Sequence, residues 1–272
     1  MNLFILIKNN SLDPSIVNFS SSLFNGTETK IHLLNIVPAN GEVPLQMNGR
    51  ILENCTEFDL SHYEKQAETN LTYLNSIKAD LIVERHSYAG NEISILKDYI
   101  KTHQINVIVG GAHKTTAREN AFVKTYPSRI IENTELPYLT IKCNRDNFTP
   151  ERIALIGDFT APTVENFEVI KALATRHQSE FTLVKFYTPS DKRSEVDIYK
   201  MMQAFADANK LTANLKIIRS TGKESGVSEL HKDGLTDLIV VARTHKSTFF
   251  KLFNQGEQAN IVNHVYAPIF IY

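Results

Sequence analysis

Cysteine is scarce: Cys55 and Cys143 are the only two in 272 residues. They are too few and too isolated for a disulfide framework or a CxxC metal site, which fits a reducing cytoplasm. An excess of one charge is missing as well, since 29 Lys+Arg stand against 30 Asp+Glu for a formal net charge of −1. A nucleic-acid binder normally shows a basic excess or stripe, so no nucleic-acid partner is expected. Long apolar runs are also absent. Leu3 to Ile7 and Leu238 to Ala242 reach five residues, against the roughly 20 that span a bilayer, so no membrane partner is expected. The N-terminus has neither a basic segment ahead of its apolar run nor a small-residue cleavage site. It reads as a first strand rather than an export signal, and the expected location is the cytoplasm. Glycine and proline are sparse, 11 and 9, beside a 42% hydrophobic fraction, which excludes disorder.

What remains is an alternation of short β-branched runs with longer amphipathic segments, the pattern of a parallel sheet covered by helices. The first half reads as strands near Leu3–Lys8, Lys30–Val37, Asp80–Arg85, Asn106–Gly110 and Tyr138–Lys142. Asp13-Pro14 reads as an N-cap followed by Pro at the first helical position. Phe58 to Ile77 and Asn91 to Thr102 carry helix-spaced apolar residues, and a fourth helix is expected near Tyr126–Asn133. Pro38 to Glu57 is polar with scattered Gly and Pro, a long loop and hence a candidate lid or interface element.

The second half repeats the order, with strands near Arg152–Gly157, Glu180–Phe186, Asn214–Arg219, Asp237–Val241 and Pro268–Tyr272, and Thr160-Ala161-Pro162 opening its first helix. Val109-Gly110-Gly111-Ala112-His113-Lys114-Thr115-Thr116 lies over Val241-Ala242-Arg243-Thr244-His245-Lys246-Ser247-Thr248 at an offset of 132, and Leu136-Pro137-Tyr138 over Ala267-Pro268-Ile269 at 131. Repetition of this length points to two copies of one α/β domain, at 1–145 and 150–272, parted by the polar stretch Cys143 to Glu151.

These motifs resemble the universal stress protein family in its tandem two-domain form. That family's signature after strand four is Gly-x-x-Gly, nine residues, Gly-Ser or Gly-Thr, then a helix and Cys-Pro. Gly111-Ala112-His113-Lys114, Lys124-Thr125 and Leu136-Pro137 occupy these slots in the first half, and Arg243-Thr244-His245-Lys246, Gly256-Glu257 and Ala267-Pro268 in the second. Gly90 and Gly222 fit the third loop, ahead of a helix. The family's Val-Asp-Gly-Ser after strand one is matched by Ile156-Gly157-Asp158-Phe159-Thr160, which keeps the acid, and by Lys8-Asn9-Asn10-Ser11, where Asn9 replaces it. The resemblance implies two open five-stranded parallel sheets of order 3-2-1-4-5 with helices on both faces, an adenine-nucleotide-hydrolase-like architecture. The domains should pack about a pseudo-twofold axis, because fifth strands are edges and edges need cover.

The resemblance also implies candidate nucleotide or anion pockets, at Asn9, Gly111, His113, Lys114, Lys124 and Thr125 in the first half and at Asp158, His245, Lys246 and Gly256 in the second. In nucleotide-binding members, glycines let backbone N–H groups and a helix N-terminus approach phosphate. Here Lys114, Arg243 and Lys246 replace three of those glycines, and Glu257 opposes an anion where a hydroxyl would donate. The second half is therefore expected to bind ATP weakly or not at all. In the first half Lys114, Lys124 and Thr125 either form a different anion site or are solvated remnants. Asp158 either contacts a ligand or caps the helix near Pro162. His113 and His245 have no Ser, Cys or carboxylate fixed beside them by sequence, and no HxxxH or HExxH pair occurs, so no metal is expected. Phe249 to Phe253 is aromatic-rich, either a core anchor or a partner surface. The leading reading is a non-enzymatic stress-response binding or regulatory module, acting by self-association as a homodimer or through a protein partner. Its alternatives are an adenine-nucleotide or small-anion site with magnesium in the first half, with slow hydrolysis, and a dimeric scaffold.

Overall fold

A computed structural model describes residues 1–26, 28–38, 57–111, 126–141, 148–160, 167–221, 226–227, 229–230, 236–241 and 267–272. The chain order is β1 (Asn2–Leu6), α1 (Asp13–Leu23), β2 (Lys30–Pro38), α2 (Glu57–Ser76), β3 (Ile82–Gly90), α3 (Glu92–Thr102), β4 (Val107–Gly111), α4 (Tyr126–Asn133) and β5 (Tyr138–Ile141). It continues with β6 (Arg152–Ile156), α5 (Phe167–His177), β7 (Glu180–Tyr187), α6 (Glu195–Ala208), β8 (Asn214–Arg219), β9 (Leu238–Val241) and β10 (Ile269–Ile271). The fold is α/β with largely parallel sheet pairing, as the alternation requires. Among the described residues no helix is long and apolar enough to cross a membrane. The residues group into two compact units, one built on Met1–Gly111 and Ile130–Leu136, the other on Thr149–Tyr272 with β5.

In the first unit the strands run parallel in the order β3-β2-β1-β4. Leu3, Phe4, Ile5 and Leu6 are all buried, as a central strand covered on both faces must be. Asp13 is the first helical residue of α1 rather than its N-cap, and the cap position, Leu12, makes no side-chain bond. The reason is competition: the Asp13 carboxylate accepts from the N–H groups of Lys8 at 3.3 Å and Asn10 at 2.8 Å. It thus holds the loop after β1 instead of the helix amides. The C-terminal end of α2 lacks a basic residue, and Arg85 of β3 supplies one, donating to the carbonyls of Leu74 at 3.2 Å and Ile77 at 3.1 Å. β3 runs five residues beyond the expected Arg85. Asn35 to Pro38 pair with Ser87 to Gly90, and Gly90, at φ 144°, turns the chain into α3. Asn91 caps that helix, accepting from the Ser94 N–H at 3.0 Å, a bond that satisfies one exposed amide of the first turn.

In the second unit the order β8-β7-β6-β9-β10 reproduces 3-2-1-4-5, and β5 pairs antiparallel with β10. Pairing within this unit is therefore mixed and takes in six strands, where an all-parallel set of five was expected. β10 would otherwise expose a row of unpaired backbone groups, and β5 covers it. Ser194 caps α6 in a Ser-x-x-Asp arrangement, accepting from the Asp197 N–H at 3.2 Å and donating to its carboxylate at 2.7 Å. Ile198, Met202, Phe205 and Ala206 form its buried stripe, the spacing of a single helix face.

Candidate functional site

Open parallel sheets bind ligands at the carboxyl ends of their strands, where the order reverses. In the first unit that point lies between β1 and β4, and the register Leu6 to Gly110 places Gly111 beside the residues that follow β1. Asn9 adopts φ 55°, a left-handed turn that Asn tolerates. Its amide donates to the Asn70 side chain. Asn70 in turn donates to Asn35 at 2.7 Å, and Asn35 donates to the Ile7 carbonyl at 2.9 Å. Asn35 and Asn70 are buried, so this chain of amides satisfies groups that would be costly to bury unpaired. Lys8 reaches the buried Glu92 at 3.1 Å. Tyr73 donates to the Asn10 carbonyl at 3.2 Å and lies 3.4 Å from Asp13. Its burial, together with the Asp13 charge, holds that hydroxyl above its usual range, so it remains a donor.

The second unit presents the equivalent point at the ends of β6 and β9, where Ile156 pairs with Val241. Leu6 pairs with Leu34 in the first unit and Ile156 with Val184 in the second. Ile7 therefore corresponds to Gly157, Lys8 to Asp158, Asn9 to Phe159 and Asn35 to Lys185. The acid of the second half thus holds the position equivalent to Lys8 in the repeat, not to Asn9 as the motif comparison suggested. The equivalence Asn9 to Phe159 is marked by backbone, since Phe159 also adopts a left-handed φ, 50°. For a bulky residue that conformation costs about 1–2 kcal/mol. It turns the ring inward, edge-on to Phe205 at a centroid distance of 5.2 Å and 3.4 Å from where a Cβ on Gly157 would lie.

Lys185 is buried, and its ammonium bonds Asp158 at 2.8 Å and Asp191 at 3.1 Å. Asp191 also accepts from the N–H of Thr188 at 2.7 Å and from its hydroxyl at 3.0 Å. Burial alone would push the Asp191 carboxyl up, but the Thr188 N–H, the Lys185 ammonium and the Thr188 hydroxyl outweigh it and hold it below the usual carboxylate range. Around this point one ammonium meets two carboxylates, whereas the Lys8 ammonium meets Glu92 while the Lys8 backbone N–H donates to Asp13. A phosphate approaching the described side chains around Lys185 meets a net negative charge.

Of the residues singled out by sequence, Asn9 and Gly111 come together at the first crevice, and Asp158 stands at the second with Lys185 as partner. His113, Lys114, Lys124, Thr125, His245, Lys246 and Gly256 lie outside the described residues, as do Glu257, Gly222, the segment 39–56, the start of the helix near Pro162, and Phe249 to Phe253. Sequence reasoning missed Asn35, Asn70, Lys185 and Asp191. Asn35 and Lys185 were visible only as polar breaks in otherwise apolar strands. It also missed a gathering of His32, Glu84, His86 and His103 on the α3 side of the first unit, whose only local signal is the alternation Glu84-x-His86-x-Tyr88.

No protein-family model and no curated protein matches the sequence. Among solved structures, the fold is similar to that of a universal stress protein from Archaeoglobus fulgidus DSM 4304. The TM-score is 0.68 at 10% identity, covering 99% of this chain and 95% of that one. A functionally unknown protein from Pseudomonas aeruginosa PAO1 matches with a TM-score of 0.59 at 10% identity, over 99% of this chain and 91% of that one. The chain therefore has the universal stress protein fold.

Proposed function

We propose that the protein is a tandem universal-stress-type module, a non-enzymatic stress-response binding or regulatory protein whose crevices no longer accept a nucleotide. The observation that carries this reading is the pairing of Lys185 with Asp158 and Asp191 at the end of β6. A buried ammonium there would serve a phosphate well, but two carboxylates already occupy it. The Asn9, Asn70 and Asn35 chain supports the same reading in the first half, because its amides bond one another rather than an adenine edge. Regulation then passes through self-association or a protein partner. Thermal unfolding with and without ATP and magnesium tests this, since a ligand at 100 times its dissociation constant adds about 2.7 kcal/mol of stability. Unchanged unfolding at millimolar ATP is the expected outcome. Clear stabilisation, lost on Lys114→Ala or Lys124→Ala, would instead establish a nucleotide or phosphate site in the first half.

A further inference from the structure

We propose that His32, Glu84 and His103 form a binding site for a divalent transition-metal ion of the zinc class, on the α3 face of the first unit and remote from its crevice. The site is assembled from three elements. β2 and β3 pair with His32 directly opposite Glu84, just after a bulge at Ile31/His32, and strand alternation sets Glu84, His86 and Tyr88 on one face. α3 runs back from Gly90 to end at His103, whose ring stacks on Tyr99 at 4.1 Å and whose carbonyl accepts from Asn2, the first residue of β1, at 2.8 Å. The cluster therefore lies toward the strand N-termini, at the opposite end of β1 from Lys8 and Asn9.

His32, Glu84 and His103 each offer one ligand atom, and these three atoms lie within 4.8 Å of one another. Glu84 Oε2 is 3.6 Å from His32 Nδ1 and 3.0 Å from His103 Nδ1. Tetrahedral coordination at the usual zinc bond lengths sets ligand atoms about 3.3 Å apart, so these distances bracket the required edge. Hydrogen bonding alone accounts for less of the arrangement. Oε2 already meets His86 Nε2 at 2.9 Å and His103 at 3.0 Å, and His32 at 3.6 Å is beyond hydrogen-bond reach. His32 Nδ1 instead meets the Tyr99 hydroxyl at 3.2 Å, a contact that an arriving ion would replace with a coordinate bond.

The surroundings fit a metal centre. His86 bridges the Tyr88 hydroxyl, at 2.9 Å from Nδ1, to Glu84, a supporting bond of the kind that orients ligating carboxylates. His32 is buried, so its ring is held in place by the packing around it. Two imidazoles and one carboxylate suit zinc and its neighbours rather than magnesium or calcium, which take oxygen ligands. An ion there would tie α3 to β2 and β3.

The test uses the full chain freed of metal by chelator dialysis, titrated with Zn²⁺ by calorimetry and with Co²⁺ by visible absorption. One ion per chain is expected. Glu84→Gln and His103→Asn should each weaken binding by on the order of 100-fold or more, and Tyr88→Phe by about 10-fold. His62→Asn, at an exposed histidine of α2, should leave it unchanged. Circular dichroism establishes that each variant is folded, and the partly exposed His103 provides a second ligand variant beside Glu84. Absence of saturable binding, or an affinity in folded Glu84→Gln and His103→Asn equal to that of the unsubstituted protein, would overturn the site and leave a hydrogen-bonded cluster.

Discussion

Replacing Lys185 by Met keeps most of the side-chain volume on β7 and removes its ammonium. Truncating one partner of a fully buried ion pair costs about 3–5 kcal/mol, because the other charge is stranded. Here the stranding is incomplete. Asp158 has 55% of its side chain exposed and returns to water, and Asp191, 22% exposed, keeps its two bonds from Thr188. What is lost is two charge-assisted hydrogen bonds, offset in part by burying an apolar chain in place of an ammonium. The expected cost is about 1.5–3 kcal/mol. Urea unfolding at pH 7 measures it as a shift of the midpoint at constant slope, and Asp191→Asn alone and combined with Lys185→Met completes a double-mutant cycle. A coupling energy near zero, or a Lys185→Met cost below about 0.5 kcal/mol, the range of an ordinary surface substitution, would refute the idea that this triad organises the end of β6.

Three other predictions are independent of that one. Because the native Asp191 carboxyl is held below its usual value, its contribution is fully present above the unfolded value of about 3.9 and is lost as pH falls through the native one. Unfolding curves from pH 6 to 2 should therefore show a loss of stability below about pH 4 that Asp191→Asn flattens; an unflattened profile would contradict the assignment. Gly226→Ala would set a Cβ 2.4 Å from the ring of buried Phe186, an overpacking that should cost about 1–3 kcal/mol, read by melting temperature. The Tyr138 hydroxyl on β5 is buried without a hydrogen-bond partner among the described residues, so Tyr138→Phe should leave stability unchanged or raise it by about 1 kcal/mol; a clear loss would mean the hydroxyl is satisfied.

Periodicity placed every described strand, and all but the end of β3 within about two residues, since most are short β-branched runs whose burial follows from covering both sheet faces. It placed the end of β3 too early because His86-Ser87-Tyr88 reads as polar, whereas pairing with Asn35 to Pro38 sustains the strand. That fifth-strand edges need cover follows from the sequence reading, but the antiparallel direction of β5 against β10 does not, as a fully buried four-residue strand looks alike in either direction. Motif alignment misassigned Asn9 because it matched residue types, while backbone pairing matches Lys8 to Asp158 and the two left-handed residues Asn9 and Phe159. The histidine cluster has no HxxxH spacing to signal it, because His32, Glu84 and His103 come from β2, β3 and the end of α3.

The central claim is that the strand-end crevices hold no nucleotide, and the most direct measurement is to denature the purified protein and identify any released nucleotide by mass spectrometry. Calorimetric titration of the same preparation with ATP, ADP and AMP completes it. The account predicts no stoichiometric nucleotide and no heat of binding. Near-stoichiometric nucleotide would contradict it, and would place the phosphates on lysines of the first half.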